Sequence, residues 1–195
     1  MIAGVLFSGG KDSALAALFL SRDYEVELNT FVFNPLRDLS AVEHAAASLG
    51  FPLKKRVFEP ELLDDAVNMA LQCGYPNDAI QYIHRNAILT LSKEYQVVGD
   101  GTRLNDRVPM LNLGEVMSLA NRFGCSYVRP LLGFGKEEVE RLVARHLEVR
   151  YGETGLIPNG DYEYELRTAM QSRGYDPGAI FPGHHIQSLV TDAKC

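Results

Sequence analysis

The residues with the clearest chemistry stand close to the N-terminus. Ser8-Gly9-Gly10-Lys11-Asp12-Ser13 follows a short apolar run directly and opens a segment of helical periodicity. Two glycines let the backbone approach a ligand, the following helix directs free N–H groups at an anion, Ser8 and Ser13 add hydroxyls, and Lys11 adds a positive charge. A phosphate or pyrophosphate is the occupant that suits this combination. A lone glycine pair reads as a tight turn with Asp12 capping a helix; six consecutive residues of suitable type behind a buried strand favour the anion instead. The G-x-x-x-x-G-K-[ST] phosphate loop is absent, since Asp12 follows Lys11 and Val5 stands where the first glycine belongs. The three spaced glycines of a dinucleotide fingerprint are also missing.

A second glycine turn, Gly99-Asp100-Gly101-Thr102, leads through Arg103 to the carboxylate of Asp106. By itself it is a strand-ending turn. Its position at the same edge of a sheet as the first turn favours contact with the same ligand. Lys136 reads equally as a phosphate contact or as an ordinary lysine at a helix start.

The elements that must position these groups alternate. Ile2 to Phe7 is apolar without alternation, the pattern of a strand covered on both faces, and the helix after it places Ala14, Leu15, Leu18 and Phe19 on one side, with Asp12 or Ser13 as its N-cap. Val26 to Phe33, Leu53 to Phe58, Gln96 to Gly99 and Ser126 to Leu131 are four further strands. Helical spacing covers Leu39 to Leu49, Val116 to Phe123, Lys136 to His146 and Tyr162 to Ser172. It also covers a long stretch from Leu62 to Leu91, broken at Cys73-Gly74-Tyr75-Pro76. Strands alternating with helices predict an α/β domain with a mostly parallel sheet over residues 1–150. From Tyr151 onward, Pro158-Asn159-Gly160, Asp176-Pro177-Gly178 and Pro182-Gly183 predict an irregular C-terminal extension, 151–195, packed on the same domain and shaping the substrate side.

Composition sets limits on function. Of 195 residues, 46% are hydrophobic and 23% charged, which suits a soluble globular chain; 19 Lys and Arg against 25 Asp and Glu leave a net charge of −6, unlike an autonomous nucleic-acid binder. The apolar runs fall short of a membrane span, and the first residues lack the basic segment of a secretory signal. Three widely spaced cysteines, Cys73, Cys125 and Cys195, argue against a disulfide framework and for a cytoplasmic setting. A homodimer or a partner protein is a further expectation.

The string SGGKDS, placed between the first strand and the first helix, resembles the signature of the PP-loop family, the N-type ATP pyrophosphatases. Gly99 to Asp106 is similar to the family's second nucleotide-side loop. Arg129-Pro130-Leu131-Leu132 with Lys136-Glu137-Glu138, and the run from Arg85 through Leu89 and Leu91, resemble the ThiI-like, tRNA-thiolating branch. The resemblance covers roughly residues 1 to 146. It implies a five-stranded parallel sheet sandwiched by helices, an adenine nucleotide alpha hydrolase-like, Rossmann-like fold. It also implies cleavage of ATP to AMP and pyrophosphate with adenylation of a substrate, which a nitrogen or sulfur nucleophile then displaces from AMP.

ATP and Mg²⁺ are the cofactors so implied. Ser8, Gly9, Gly10, Lys11 and Ser13 would hold pyrophosphate, Asp12 would position magnesium or the loop, and Asp106 would be a second magnesium ligand. Lys11, Asp12 and Asp106 would carry catalysis by positioning and charge. The end of the second strand, Phe31 to Asn34, would lie beside the adenine with main-chain groups reading its edge, Phe33 being either a ligand contact or a core aromatic. Gly99, Gly101, Thr102 and Lys136 complete the implied nucleotide site.

The acceptor is less legible. The chain departs from the paired cysteines of many sulfur-transferring members, although Cys73 in its Gly-Tyr-Pro break is a candidate nucleophile and Cys195 a candidate sulfur carrier. Cys125 reads as buried packing. His184-His185 lacks a third metal ligand, and Asp161, Glu163 and Glu165 read as a solvated helix face or as a site for a cationic substrate. The expected activity is tRNA modification of the thiolating type. The alternatives are an amide-forming ligase, as in the asparagine synthetase, NAD synthetase and diphthine–ammonia ligase branches, and a nucleotide-binding subunit without turnover. From Arg103 to Arg150 the chain has only a slight basic excess, so affinity for tRNA would need a local patch or a partner.

Overall fold

The computed structural model describes residues 1–194. Ile2–Leu6 (β1), Glu25–Val32 (β2), Leu53–Val57 (β3), Val97–Gly99 (β4) and Ser126–Val128 (β5) form one sheet in the order β3-β2-β1-β4-β5, every pair parallel. Parallel neighbours require crossovers, and helices supply them. Lys11–Leu20 (α1) joins β1 to β2 and Ser40–Ser48 (α2) joins β2 to β3. Pro60–Cys73 (α3) and Asn77–Ser92 (α4) lie between β3 and β4, and Leu113–Phe123 (α5) between β4 and β5. Gly74 ends α3 where the sequence predicts the break. Lys136–His146 (α6) follows β5.

The unalternating strands are explained by two cores, one on each face of the sheet. Val5 and Phe7 pack with α1, α2 and α6, whereas Leu6 and Phe31 pack with α3 and α4 on the opposite face. The inner strands β2, β1 and β4 therefore bury both of their sides, as inner strands of a parallel sheet do, while the edge strand β3 stays largely exposed. This is the predicted α/β sandwich.

The segment read as irregular holds more order than its turn residues suggest. Leu147–Glu153 (β6) runs straight out of α6, Tyr162–Ser172 (α7) follows, and Ile186–Ala193 (β7) returns antiparallel to β6, pairing Leu147 with Ala193 and Glu153 with Ile186. The strands are separated by α7, so no tight-turn signal announces their pairing. β6 also crosses position 150, where the sequence suggests a boundary. Leu147 and Val190 are buried in the core of α1, α2 and α6, and each such burial contributes about 1.5–3 kcal/mol. β7 is thereby fastened beside α1 and α2.

Candidate functional site

The strand order reverses direction between β1 and β4, and the crevice beyond the carboxyl ends of strands at such a reversal is where open α/β sheets bind ligands. The turn after β1 and the turn after β4 meet there. Gly9 takes a φ of +78°, a conformation open to glycine and strained for other residues. Helix α1 begins at Lys11 with Gly10 as its N-cap, two residues before Asp12 and three before Ser13, the caps expected from sequence, and Gly10 has no side chain to cap the first turn. Gly101 lies against the Asp12–Ser13 peptide, which leaves no room for a Cβ.

Two connected chambers open at this point. The first, about 320 Å³, has walls of Phe31, Ile80, His84 and Tyr162 and carries Asp12, Thr102, Asp106 and Asp161 on its rim. The second, about 370 Å³, is lined by Gly10, Lys11, Lys136, Glu140, Tyr151 and Ser188. Ser8, Asp12, Ser13, Arg103, Asp161 and His185 line both. The structure thus gathers Ser8, Gly10, Lys11, Asp12, Ser13, Gly101, Thr102, Asp106 and Lys136 around one crevice. Gly9 supports it from behind, with its carbonyl accepting from Val190 N–H at 2.8 Å, and Gly99 is buried inside β4 against Leu20.

Charge is arranged in linked pairs. Buried Lys11 reaches Asp12 at 2.8 Å and Glu140 at 3.4 Å, while Arg103 spans Asp12 at 3.4 Å and Asp106 at 2.7 Å. Among the described residues no group of three or more metal-ligating side chains forms. Mg²⁺ takes one or two carboxylates plus substrate phosphates. Asp12 and Asp106, on one rim and bridged by Arg103, fit the carboxylate part of that donor set.

Beneath the second turn is a polar cluster that the sequence did not announce. Asp100 accepts from Thr102 N–H at 3.0 Å, lies 2.8 Å from His84 Nε2 and accepts the hydroxyl of Tyr127. Burial pushes the Asp100 carboxyl up, and His84, Tyr127 and Thr102 together outweigh it and hold the group below the usual carboxylate range. The same burial and the neighbouring carboxylate push the Tyr127 hydroxyl up, so it stays a donor. The turn carrying Gly101 and Thr102 is fixed from below.

Phe33 does not join the crevice. It packs on Phe58 and faces a separate cavity of about 620 Å³ on the far side of α7, larger than either chamber and away from both glycine turns. The N–H groups of Phe33 and Asn34 both donate to Glu165 Oε1, at 2.9 and 2.8 Å, and Arg37 holds Glu165 Oε2 at 2.7 Å. The main-chain donors expected beside adenine are therefore held by α7. The first chamber, with Phe31 and Tyr162 in its wall, offers the apolar surface instead.

Nor do the α7 acids form a solvated face. Glu163 and Glu165 are buried: Glu165 meets Arg37 and the end of β2, whereas Glu163 meets Arg167 on the same helix and His185 just before β7. Burial raises the Glu163 carboxyl, but His185 and Arg167 outweigh that and hold it low; Glu163 in turn holds the His185 imidazole above its ordinary range. Burial pushes the neighbouring Asp161 up. His184 pairs with Glu153 at the surface.

Neither described cysteine reaches the crevice. Cys73 ends α3 with its thiol 3.4 Å from Asp78, and burial and that carboxylate push its pKa up, against the nucleophilic thiolate considered from sequence. Cys125 is buried, as expected. Cys195 lies outside the described residues.

The family of unknown function DUF7411 matches residues 1–192. The chain belongs to that family. The uncharacterized protein MJ0690 of Methanocaldococcus jannaschii is 36% identical to this DUF7411 chain over 187 residues, 95% of this chain and 94% of the relative. A solved structure from M. jannaschii, described as a predicted subunit of tRNA methyltransferase, superposes with a TM-score of 0.91 at 35% identity. It covers 100% of this chain and 99% of its own. The NH3-dependent NAD synthetase of Campylobacter jejuni has a TM-score of 0.50 at 17% identity, covering 73% of this chain and 62% of its own, a likeness of fold. The DUF7411 fold is accordingly NAD synthetase-like, with the turn after β1 at its switch point. Among the described residues no helix is long and apolar enough to cross a membrane.

Proposed function

We propose that this DUF7411 chain is an ATP pyrophosphatase of the PP-loop type, which splits ATP to AMP and pyrophosphate and adenylates an acceptor. The observation that carries the reading is the contact of Gly101 with the Asp12–Ser13 peptide, which joins the two glycine turns into one crevice at the sheet's switch point. Pyrophosphate lies against the α1 N-terminus with Lys11, Lys136 and Arg103 on its charge, and the adenosine occupies the first chamber between Phe31 and Tyr162. Mg²⁺ bound by Asp12 and Asp106 would screen the phosphates. Lys11 and Arg103 are positioned to stabilise charge as the bond between the α and β phosphates lengthens, and the apolar wall limits water at the reacting end.

The acceptor in this reading is a tRNA, bound with a partner protein. The similarity to a structure described as a predicted subunit of tRNA methyltransferase supports both parts. The acidic composition supports the need for a partner. A second reading, an amide-forming ligase, is favoured by the positions of Cys73 and Cys125 outside the crevice and by the Asp161 and Glu163 carboxylates beside it, which suit an amine. The test is release of AMP and pyrophosphate from ATP with Mg²⁺ in the presence of bulk tRNA, of small carboxylates with ammonia, or of neither. Stimulation by tRNA supports the first reading, stimulation by carboxylate and ammonia the second. ATP binding without turnover in any mixture would contradict both and leave a nucleotide-binding subunit.

A further inference from the structure

Three main-chain donors of the glycine turn each face a hydroxyl oxygen. Ser8 N–H donates to Ser13 Oγ at 3.4 Å, Gly10 N–H to Ser8 Oγ at 3.3 Å, and Lys11 N–H to Ser188 Oγ at 3.2 Å. Clustered main-chain N–H groups aimed at acceptor oxygens are the geometry of an anion nest. Two of these hydroxyls are local to the turn. The third comes from β7, at a sequence separation of 177.

β7 is fixed at the turn by backbone contacts. Val190 N–H donates to Gly9 O at 2.8 Å, and Gly160 N–H donates to Ser8 O at 2.7 Å from the loop ahead of α7. Asn159 ties that loop to β7 through Gln187 Oε1, at 3.0 Å. Just before β7, His185 lines both chambers, with Nδ1 held by Glu163 at 2.5 Å. Glu163 keeps the imidazole charged to a higher pH than an isolated histidine would be.

We propose that Ser188 and His185 are phosphate-binding residues, so that the C-terminal strand forms the third side of the ATP site. The proposal rests on the reading of the glycine turn as a phosphate site and assigns to it two groups outside the SGGKDS motif. When the phosphate arrives, Lys11 N–H exchanges the Ser188 oxygen for a phosphate oxygen, and the freed hydroxyl rotates to donate its own hydrogen to the ligand. His185 donates from Nε2 while Glu163 keeps hold of Nδ1. The nucleotide is then clamped between the first helix and the last strand.

The test is calorimetric titration of the full chain with Mg-ATP and with inorganic pyrophosphate. Ser188→Ala and His185→Gln should each weaken both ligands about tenfold, the effect of one hydrogen bond to a charged group. Ser188→Asp places a carboxylate at the nest as an internal anion, and should abolish binding of both ligands while the melting temperature holds or rises. Affinities within twofold of wild type for Ser188→Ala and His185→Gln, or retained ATP binding in Ser188→Asp, would overturn the proposal. Failure of the wild-type chain to bind either ligand would instead overturn the underlying site reading, and is seen without any variant.

Discussion

Gly101 and Asp12 meet backbone to backbone: a methyl group on Gly101 would stand 2.6 Å from the carbonyl carbon of Asp12. Asp12 stands in the first turn of the first helix and Gly101 follows the fourth strand, so the contact sets the distance between the two turns that frame the crevice. Phosphate affinity should depend on it.

Gly101→Ala is therefore expected to separate the turns, since the clash is with main chain and no rotamer relieves it. Overpacking of this kind costs about 1–3 kcal/mol. The fold should survive by circular dichroism while Mg-ATP affinity drops at least about tenfold. Wild-type affinity in this variant would mean that the second turn does not help to form the site.

Asp12→Ala should abolish pyrophosphate release and leave the fold intact. Asp12 lies at the rim in contact with Lys11 and Arg103 and is not part of either core. Equal melting temperatures with lost turnover are the expected pair of results, and full turnover would remove Asp12 from the site.

Glu165 joins α7 to the end of β2 by accepting from Phe33 and Asn34 while pairing with buried Arg37. Glu165→Ala leaves Arg37 without its carboxylate and two N–H groups unsatisfied. Breaking a buried pair in this way costs about 3–5 kcal/mol. Denaturant unfolding should show a loss of that size; a loss under about 1 kcal/mol would mean that α7 is held mainly by its apolar face.

The folded Asp100 carboxyl is held below its unfolded value of about 3.9, so its contribution to stability is complete above that pH and is lost as the pH falls through the folded value. Thermal melts between about pH 2 and pH 6 should show wild type losing stability more steeply than Asp100→Asn below about pH 4. Parallel curves would show that His84 and Tyr127 do not favour the ionised form.

Much of this was legible locally. Ile2 to Phe7 has the unalternating apolar pattern of a strand covered on both faces, and Ser8 to Ser13 gathers residue types that suit a phosphate in six adjacent positions. The long-range parts were not legible. Ser188 has an ordinary strand sequence around it and acquires its place only when Val190 binds Gly9. Glu163 and Glu165 look like exposed helix acids until His185 and Arg37 arrive from elsewhere in the chain. Asp100 resembled a turn residue, and its partners His84 and Tyr127 come from a helix and a strand on either side of it.

Cleavage between the α and β phosphates of ATP in this crevice is tested most directly by following the label from α-labelled ATP with Mg²⁺ and bulk tRNA, or with carboxylates and ammonia, in wild type beside Asp12→Ala. Labelled AMP with equimolar pyrophosphate, lost in the variant, is the predicted result. Labelled ADP, or no product in any mixture, would contradict it.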